Sequence, residues 1–218
     1  QKFTAFTDKG AISLVVHDLN NDERDDIIVG SAPDIVSEVR IFRPDGTLTQ
    51  KFFPFGSDHT NGVAVAGLRT DNPKKPLLAV AEASRGSRLR IFRADRFSAA
   101  QKEWFGFDVG FIGGLTLAAT PNEVETSDVI TVSVAGAGGP HVRVFSPNGR
   151  LLKEWFAFEK DFRGGVALAS GQLDDDPAIE TVTVPTMPLY ESPFKTGKSI
   201  AISLSLQNKP SKSWSYSQ

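Results

Sequence analysis

The stretch Lys102-Glu-Trp-Phe-Gly-Phe107 recurs as Lys153-Glu-Trp-Phe-Ala-Phe158, and we call this element the aromatic box. Progressively weaker copies are Lys51-Phe-Phe-Pro-Phe55, Lys2-Phe-Thr-Ala-Phe6 and Lys212-Ser-Trp-Ser-Tyr216. The last aromatic residues of the first four boxes lie 49, 52 and 51 residues apart, and they are Phe6, Phe55, Phe107 and Phe158. A period this constant indicates that the chain is built from internal repeats.

A second element lies between successive boxes and alternates apolar and polar residues, as a β-strand does. Its copies are Val39-Arg-Ile-Phe42, Leu89-Arg-Ile-Phe92, Val142-Arg-Val-Phe145 and the diverged Ile200-Ala-Ile-Ser203. Two further apolar stretches precede it in each unit, such as Gly62-Val-Ala-Val65 and Leu77-Leu-Ala-Val80. The turn sequences Pro44-Asp-Gly46 and Pro147-Asn-Gly149 fall where a tight hairpin would join the third strand to the fourth. Each repeat therefore predicts four short strands.

Four short strands in each repeat are typical of a β-propeller blade. We therefore predict an all-β chain that forms a single β-propeller domain over residues 1–218, with about four blades of four antiparallel strands. The blade units are about 1–50, 51–101, 102–152 and 153–218. The boxes would pack between blades, although an aromatic shelf for a carbohydrate is an alternative role.

The presence of a box at each end of the chain leaves two arrangements open. The chain could form a small ring of four blades, or part of a larger propeller whose other blades come from further sequence or from a second copy. Residues 1–6 and 211–217 would compete for the role of completing the last blade.

The composition is ordinary for a globular chain, with 40% hydrophobic and 23% charged residues. A net charge of -2 without Lys/Arg blocks argues against a nucleic-acid partner. No apolar run has the length of a membrane helix, so we expect no membrane insertion in this chain. The absence of cysteine excludes disulfides and Cys-ligated zinc, and it is compatible with export from a bacterium.

The segment Asp18-Leu-Asn-Asn-Asp-Glu-Arg-Asp-Asp26 places oxygen donors at alternate positions just before an apolar strand. Hard cations such as Ca2+ take oxygen ligands in this kind of tight loop. The predicted ligands are the side chains of Asp18, Asn20, Asp22 and Asp26 and the backbone carbonyl of Arg24. The alternative is a loop that is closed by Asx turns without an ion.

An Asp-x-Asn-x-Asp-x-x-x-Asp loop between the first two strands of a blade resembles the FG-GAP repeats of integrin α-chains and of many bacterial surface proteins. The resemblance covers nearly the whole chain as a repeat, and it implies a propeller that binds Ca2+ in hairpin loops and serves structure and adhesion. Glu23 occupies a position at which the family generally has Gly, so a residue with a Cβ must make the sharp turn.

The fourth unit keeps a partial copy of the loop, Gln172-Leu-Asp-Asp-Asp-Pro-Ala-Ile-Glu180. Asp174, Asp176 and Glu180 fall on ligand positions and could form a second, weaker metal site, but Gln172 replaces the first Asp.

Three functions are compatible with these patterns. The leading hypothesis is a non-enzymatic, Ca2+-stabilised module of an exported protein at the cell surface, which binds a protein or a glycan. The second is a polysaccharide lyase or hydrolase on the same scaffold, although the three histidines fall at unrelated points of the repeats. The third is a structural spacer or oligomerisation unit.

Overall fold

The computed structural model describes residues 2–8, 10, 12–122, 127–171, 179–186, 200–205 and 212–216. Within these ranges the chain consists of β-strands, turns and irregular segments without a helix. The strands form four antiparallel sheets of four strands each. The described residues accordingly contain no helix that is long and apolar enough to cross a membrane.

Every sheet is a meander in which strands that follow one another in the chain pair side by side. The first sheet contains β1 (Ser13–His17), β2 (Asp26–Gly30), β3 (Val39–Phe42) and β4 (Leu48–Phe52). The second contains β5 (Val63–Leu68), β6 (Leu77–Glu82), β7 (Arg88–Arg93) and β8 (Lys102–Phe105). The third contains β9 (Leu115–Thr120), β10 (Val129–Val134), β11 (His141–Phe145) and β12 (Leu151–Phe156). The fourth contains β13 (Val166–Gly171), β14 (Glu180–Pro185), β15 (Ile200–Ser205) and β16 (Lys212–Tyr216).

The predictions of an all-β chain and of four strands in each repeat are confirmed, including the diverged strands of the last unit. The sheets are offset from the units drawn on the sequence, because a box ends one sheet instead of beginning the next. Lys51 and Phe52 lie at the end of β4, whereas Phe55 lies beyond it. The last aromatic residue of a box is therefore free to contact the following sheet.

The predicted hairpins join the third and fourth strands of the first and third sheets. Gly46 has a φ of +83° and Gly149 a φ of +88°, a region that glycine enters without steric cost. Their amides donate to the carbonyls of Arg43 and Ser146, each at 2.9 Å. Both turns are followed by a register shift in the strand pair.

Consecutive sheets pack through their first strands, so that β1 lies against β5, β5 against β9 and β9 against β13. We call the face of a sheet that packs on the next sheet in the chain its forward face, and the opposite face its backward face. The backbone amide of Val65 donates to Ser13 Oγ at 3.1 Å, and Thr116 Oγ1 donates to the carbonyl of Val166 at 2.8 Å. These bonds join the forward face of one sheet to the backward face of the next.

The paired faces are complementary in side-chain size. Ala64 and Ala66 on the forward face of β5 form a buried cluster with Leu115 of β9, and the half-buried Leu117 packs against that cluster. At the end of the β1–β5 contact the large residue, His17, is on the forward face and the small residue, Gly67, is on the backward face. A Cβ on Gly67 would lie 2.5 Å from the ring of His17. Such small-against-large packing lets the strands approach closely without voids.

An arginine in the third strand ties each of the first three sheets to the box that precedes it. Arg40 Nη1 donates to the Ala5 carbonyl at 2.6 Å, Arg90 Nη1 to the Pro54 carbonyl at 2.6 Å, and Arg143 Nη1 to the Gly106 carbonyl at 3.1 Å. The guanidinium groups also lie 4.3, 5.5 and 4.8 Å from the ring centroids of the last box aromatics, which are Phe6, Phe55 and Phe107. The recurring arginine therefore holds a box against the next sheet by a charged hydrogen bond and a cation–π contact.

We expect Arg90→Ala to lower the free energy of unfolding by about 1–3 kcal/mol, since it removes both contacts with the 51–55 box. The matched control is Arg96→Ala, which removes an exposed arginine that lies between β7 and β8. Urea denaturation of the two variants measures the difference. Equal losses in the two variants would mean that the arginine contact contributes nothing to docking of the box.

Candidate functional site

The loop between β1 and β2 is organised by the carboxylate of Asp18. Its Oδ1 accepts hydrogen bonds from the amides of Asn20 at 3.2 Å, Asn21 at 2.6 Å and Asp22 at 3.3 Å, and its Oδ2 accepts from the amide of Glu23 at 3.0 Å. This is an extended Asx turn, in which one carboxylate satisfies four successive backbone donors. The chain is thereby folded back so that β2 can pair with β1.

Asp26 lies at the other end of the loop, at the first residue of β2, where it is buried. Its Oδ2 accepts from the Leu19 amide at 3.2 Å and from Asn20 Nδ2 at 3.4 Å. Burial raises the pKa of Asp26, and the charges of Asp22 and Asp18 raise it further, against the opposing effect of the Leu19 amide. The ionised Asp26 is therefore held at an energetic cost that a bound cation would offset.

Two residues of the loop adopt left-handed backbone conformations. Asn21 has a φ of +59° and Glu23 a φ of +63°. Asn tolerates this region better than most residues with a Cβ, whereas Glu adopts it at a steric cost. The expectation that Glu23 makes the sharp turn in place of glycine is confirmed.

Asp22, Arg24 and Asp26 line a hollow of about 420 Å³ beside the hairpin of β3 and β4. Arg43, Pro44 and Asp45 of that hairpin complete the lining of the hollow. Among the described residues, no three His, Asp or Glu side chains converge closely enough to hold a metal ion. The donor types in the loop thus suit Ca2+, while their present placement is that of a hydrogen-bonded Asx-turn loop.

The second predicted metal site lies only partly within the described residues. Glu180 begins β14 and is buried. Asp174 and Asp176 lie outside the described residues.

A serine, a histidine and a glutamate are joined by hydrogen bonds in an arrangement that the sequence did not reveal, and we call this hydrogen-bonded set the relay. His59 Nδ1 lies 2.9 Å from Ser37 Oγ, and His59 Nε2 lies 2.7 Å from Glu82 Oε1. The three side chains come from the β2–β3 loop, the β4–β5 connection and the end of β6, so only the folded chain brings them together. The order resembles that of a hydrolase triad, but with the two ring nitrogens exchanged. Ser37 is also 0% exposed, so no substrate can reach it.

The relay is a structural element that links the first and second sheets. Burial raises the pKa of Glu82, but hydrogen bonds from the Arg88 amide, the His59 ring and the Arg88 guanidinium outweigh it and lower the pKa below the ordinary value. The Arg88 amide donates at 2.9 Å and Arg88 Nη2 at 3.1 Å. The buried charge of Glu82 is thus compensated on several sides, as a stable buried carboxylate requires.

No protein-family model matches this chain, and no curated protein matches it. The geometry of the sheets and loops is therefore the basis for the function proposed below.

Proposed function

We propose that the four sheets are blades of a β-propeller of the FG-GAP type. Two observations support this: the sheets are meanders of equal strand number, and their first strands lie next to one another in chain order. Propeller blades are meanders of this kind that pack face to face around a common axis. The aromatic boxes would then be the outer contacts between neighbouring blades.

The function that the site supports best is a non-enzymatic, Ca2+-stabilised module of an exported surface protein, which binds a protein or a glycan. The observation that carries the calcium assignment is the buried Asp26, whose negative charge is disfavoured by burial and by Asp22 and Asp18. A Ca2+ ion would be held by Asp18, Asn20, Asp22, the Arg24 carbonyl and Asp26. It would neutralise these carboxylates and fix the hairpin of β1 and β2, so that its role is stability rather than chemistry.

Exposed phenylalanines at equivalent positions of three boxes support the binding role. Phe53, Phe105 and Phe156 are 44%, 42% and 43% exposed, and each lies at or just after the end of the fourth strand of its sheet. Each ring thus has a large face in water at the same point of its repeat, although Phe156 also stacks on His141 of its own sheet with ring centroids 4.7 Å apart. Flat aromatic faces of this kind contact sugar rings and apolar protein side chains.

We expect Ca2+ at about 100 times its dissociation constant to stabilise the chain by about 2.7 kcal/mol relative to EGTA, which raises the Tm by about 5–10 °C. Asp22→Ala should abolish this shift, whereas Asp161→Ala, in the exposed β12–β13 connection, should retain it.

Asp26→Asn provides an independent check that the negative charge of Asp26 destabilises the native state in the absence of Ca2+. A carboxyl whose pKa is raised by folding destabilises the native state when ionised, and it becomes less destabilising as the pH falls through that pKa. Asp26→Asn should therefore leave the Tm in EGTA unchanged or higher while it loses the Ca2+ shift. A native chain whose Tm is the same in Ca2+ and in EGTA would refute the calcium assignment.

The binding role predicts that the native chain binds at least one member of an array of defined glycans in the presence of Ca2+. The triple variant Phe53→Ser, Phe105→Ser, Phe156→Ser should bind at least tenfold more weakly, which corresponds to about 1.4 kcal/mol. Leu151→Ser removes an exposed apolar residue at the opposite end of the fourth strand of the third sheet and should not change the affinity. Failure of the native chain to bind any glycan, or equal binding by the triple variant, would contradict a glycan-binding role for these rings.

A further inference from the structure

The backward face of the first sheet is uncovered along β1. Leu14 is 58% exposed and Val16 is 51% exposed, and the preceding Ile12 is 46% exposed. By alignment of the repeats, Val63 and Val65 are the residues of β5 that correspond to Ile12 and Leu14, and they are 0% and 3% exposed against the preceding sheet. A row of large aliphatic side chains in water at positions that are buried in β5 indicates a packing surface without its partner.

The outer part of the same face is already covered. Phe3 packs on Phe42 with ring centroids 4.9 Å apart, and Arg40 holds Ala5 and Phe6 as described above. The segment 2–6 thus occupies the position that a box from a preceding sheet would occupy. The surface that lacks a partner is confined to the region of the first strand.

The forward face of the fourth sheet is the matching open surface at the other end of the series. It presents Ala167, Ala169 and Gly171 from β13, and Ala169 is exposed. The pairing of β13 with β14 places Val182 and Val184 on the same face, beside Ala169 and Ala167. Among the described residues, a Cβ added to Gly171 would meet no atom within 4 Å.

The two open faces are complementary in side-chain size, as the packed faces are: a small residue on one face stands opposite a larger residue on the other. Near the end of the first strands, His17 on the forward face of β1 lies against Gly67 on the backward face of β5. At the equivalent position of the β9–β13 contact, the hydroxyl of Thr120 lies 2.8 Å from the hydroxyl of Ser170. At the two open faces the corresponding residues are Gly171 on the forward side and Val16 on the backward side. The small and large residues are thus again on opposite partners.

At the two preceding positions of the open first strands, small residues again stand opposite large ones, as they do in the β5–β9 contact. Ala64 and Ala66 pack there in a cluster with Leu115 and Leu117. Ala167 and Ala169 stand on the forward face of the fourth sheet, and they would meet Ile12 and Leu14.

We propose that the forward face of the fourth sheet of one copy of this chain packs on the backward face of the first sheet of a second copy. Within one chain Leu14, Val16 and Ala169 are all exposed, so β1 and β13 do not cover each other. The contact is head-to-tail, and between copies it repeats the first-strand packing that joins successive sheets within the chain. Self-association depends on these aliphatic faces and not on the acidic loop, so loss of the calcium shift would leave it unaffected.

The chain has no cysteine, so engineered cysteines report the contact directly. Leu14→Cys and Ala169→Cys chains, mixed under mildly oxidising conditions in EGTA, should form a disulfide-linked dimer that contains one chain of each variant. Neither variant should form a dimer alone. Val109→Cys, at a 76% exposed site in the β8–β9 connection, is the control and should not pair with Ala169→Cys above background.

Light scattering of the native chain should give a mass of two or more chains, and Leu14→Glu should reduce the mass to that of one chain. A native mass of one chain at every accessible concentration would overturn the proposal. Formation of the disulfide within a single Leu14→Cys, Ala169→Cys chain would instead show that the chain closes on itself. Self-pairing of Leu14→Cys alone would show a back-to-back contact and would equally contradict the head-to-tail arrangement.

Discussion

The first strands of successive sheets pack chiefly against one another, and this packing governs the rest of the structure. The strands approach closely where alanine or glycine on one face meets a larger residue on the other, as Gly67 meets His17. Packing of this kind has no tolerance for added volume, because protein interiors are already close-packed. The order of the sheets therefore follows from the sizes of side chains on successive first strands.

The other contacts between sheets are consistent with this central packing. The recurring arginines Arg40, Arg90 and Arg143 hold three of the boxes against the sheets that follow them. The Ser37–His59–Glu82 relay ties the connecting segments of the first two sheets. The loops and strand ends outside these contacts carry the features on which the proposed function depends. These features are the acidic loop at one end and the exposed phenylalanines, which support the proposed binding role.

The fold could be predicted in some detail because its determinants are local. The 49- to 52-residue period, the alternation of Val39-Arg-Ile-Phe42 and the glycine turns are readable without knowledge of distant contacts. The arginine of the third strand also recurs visibly, but its acceptor, a carbonyl in the preceding box, exists only in space.

The candidate site was less predictable than the fold, because its contacts are not determined by local sequence alone. The oxygen donors of the loop and the strained turn at Glu23 could be anticipated, but the commitment of the Asp18 carboxylate to four backbone amides could not. That outcome depends on competition between backbone donors and other partners, which residue spacing does not determine.

A double-mutant cycle on His17→Gly and Gly67→Ala tests the first-strand packing most directly, because His17→Gly removes both the ring and the Cβ that an alanine at position 67 would meet. Gly67→Ala should cost about 1–3 kcal/mol in the native background and less than half of that in the His17→Gly background, whereas equal costs in the two backgrounds would contradict the account.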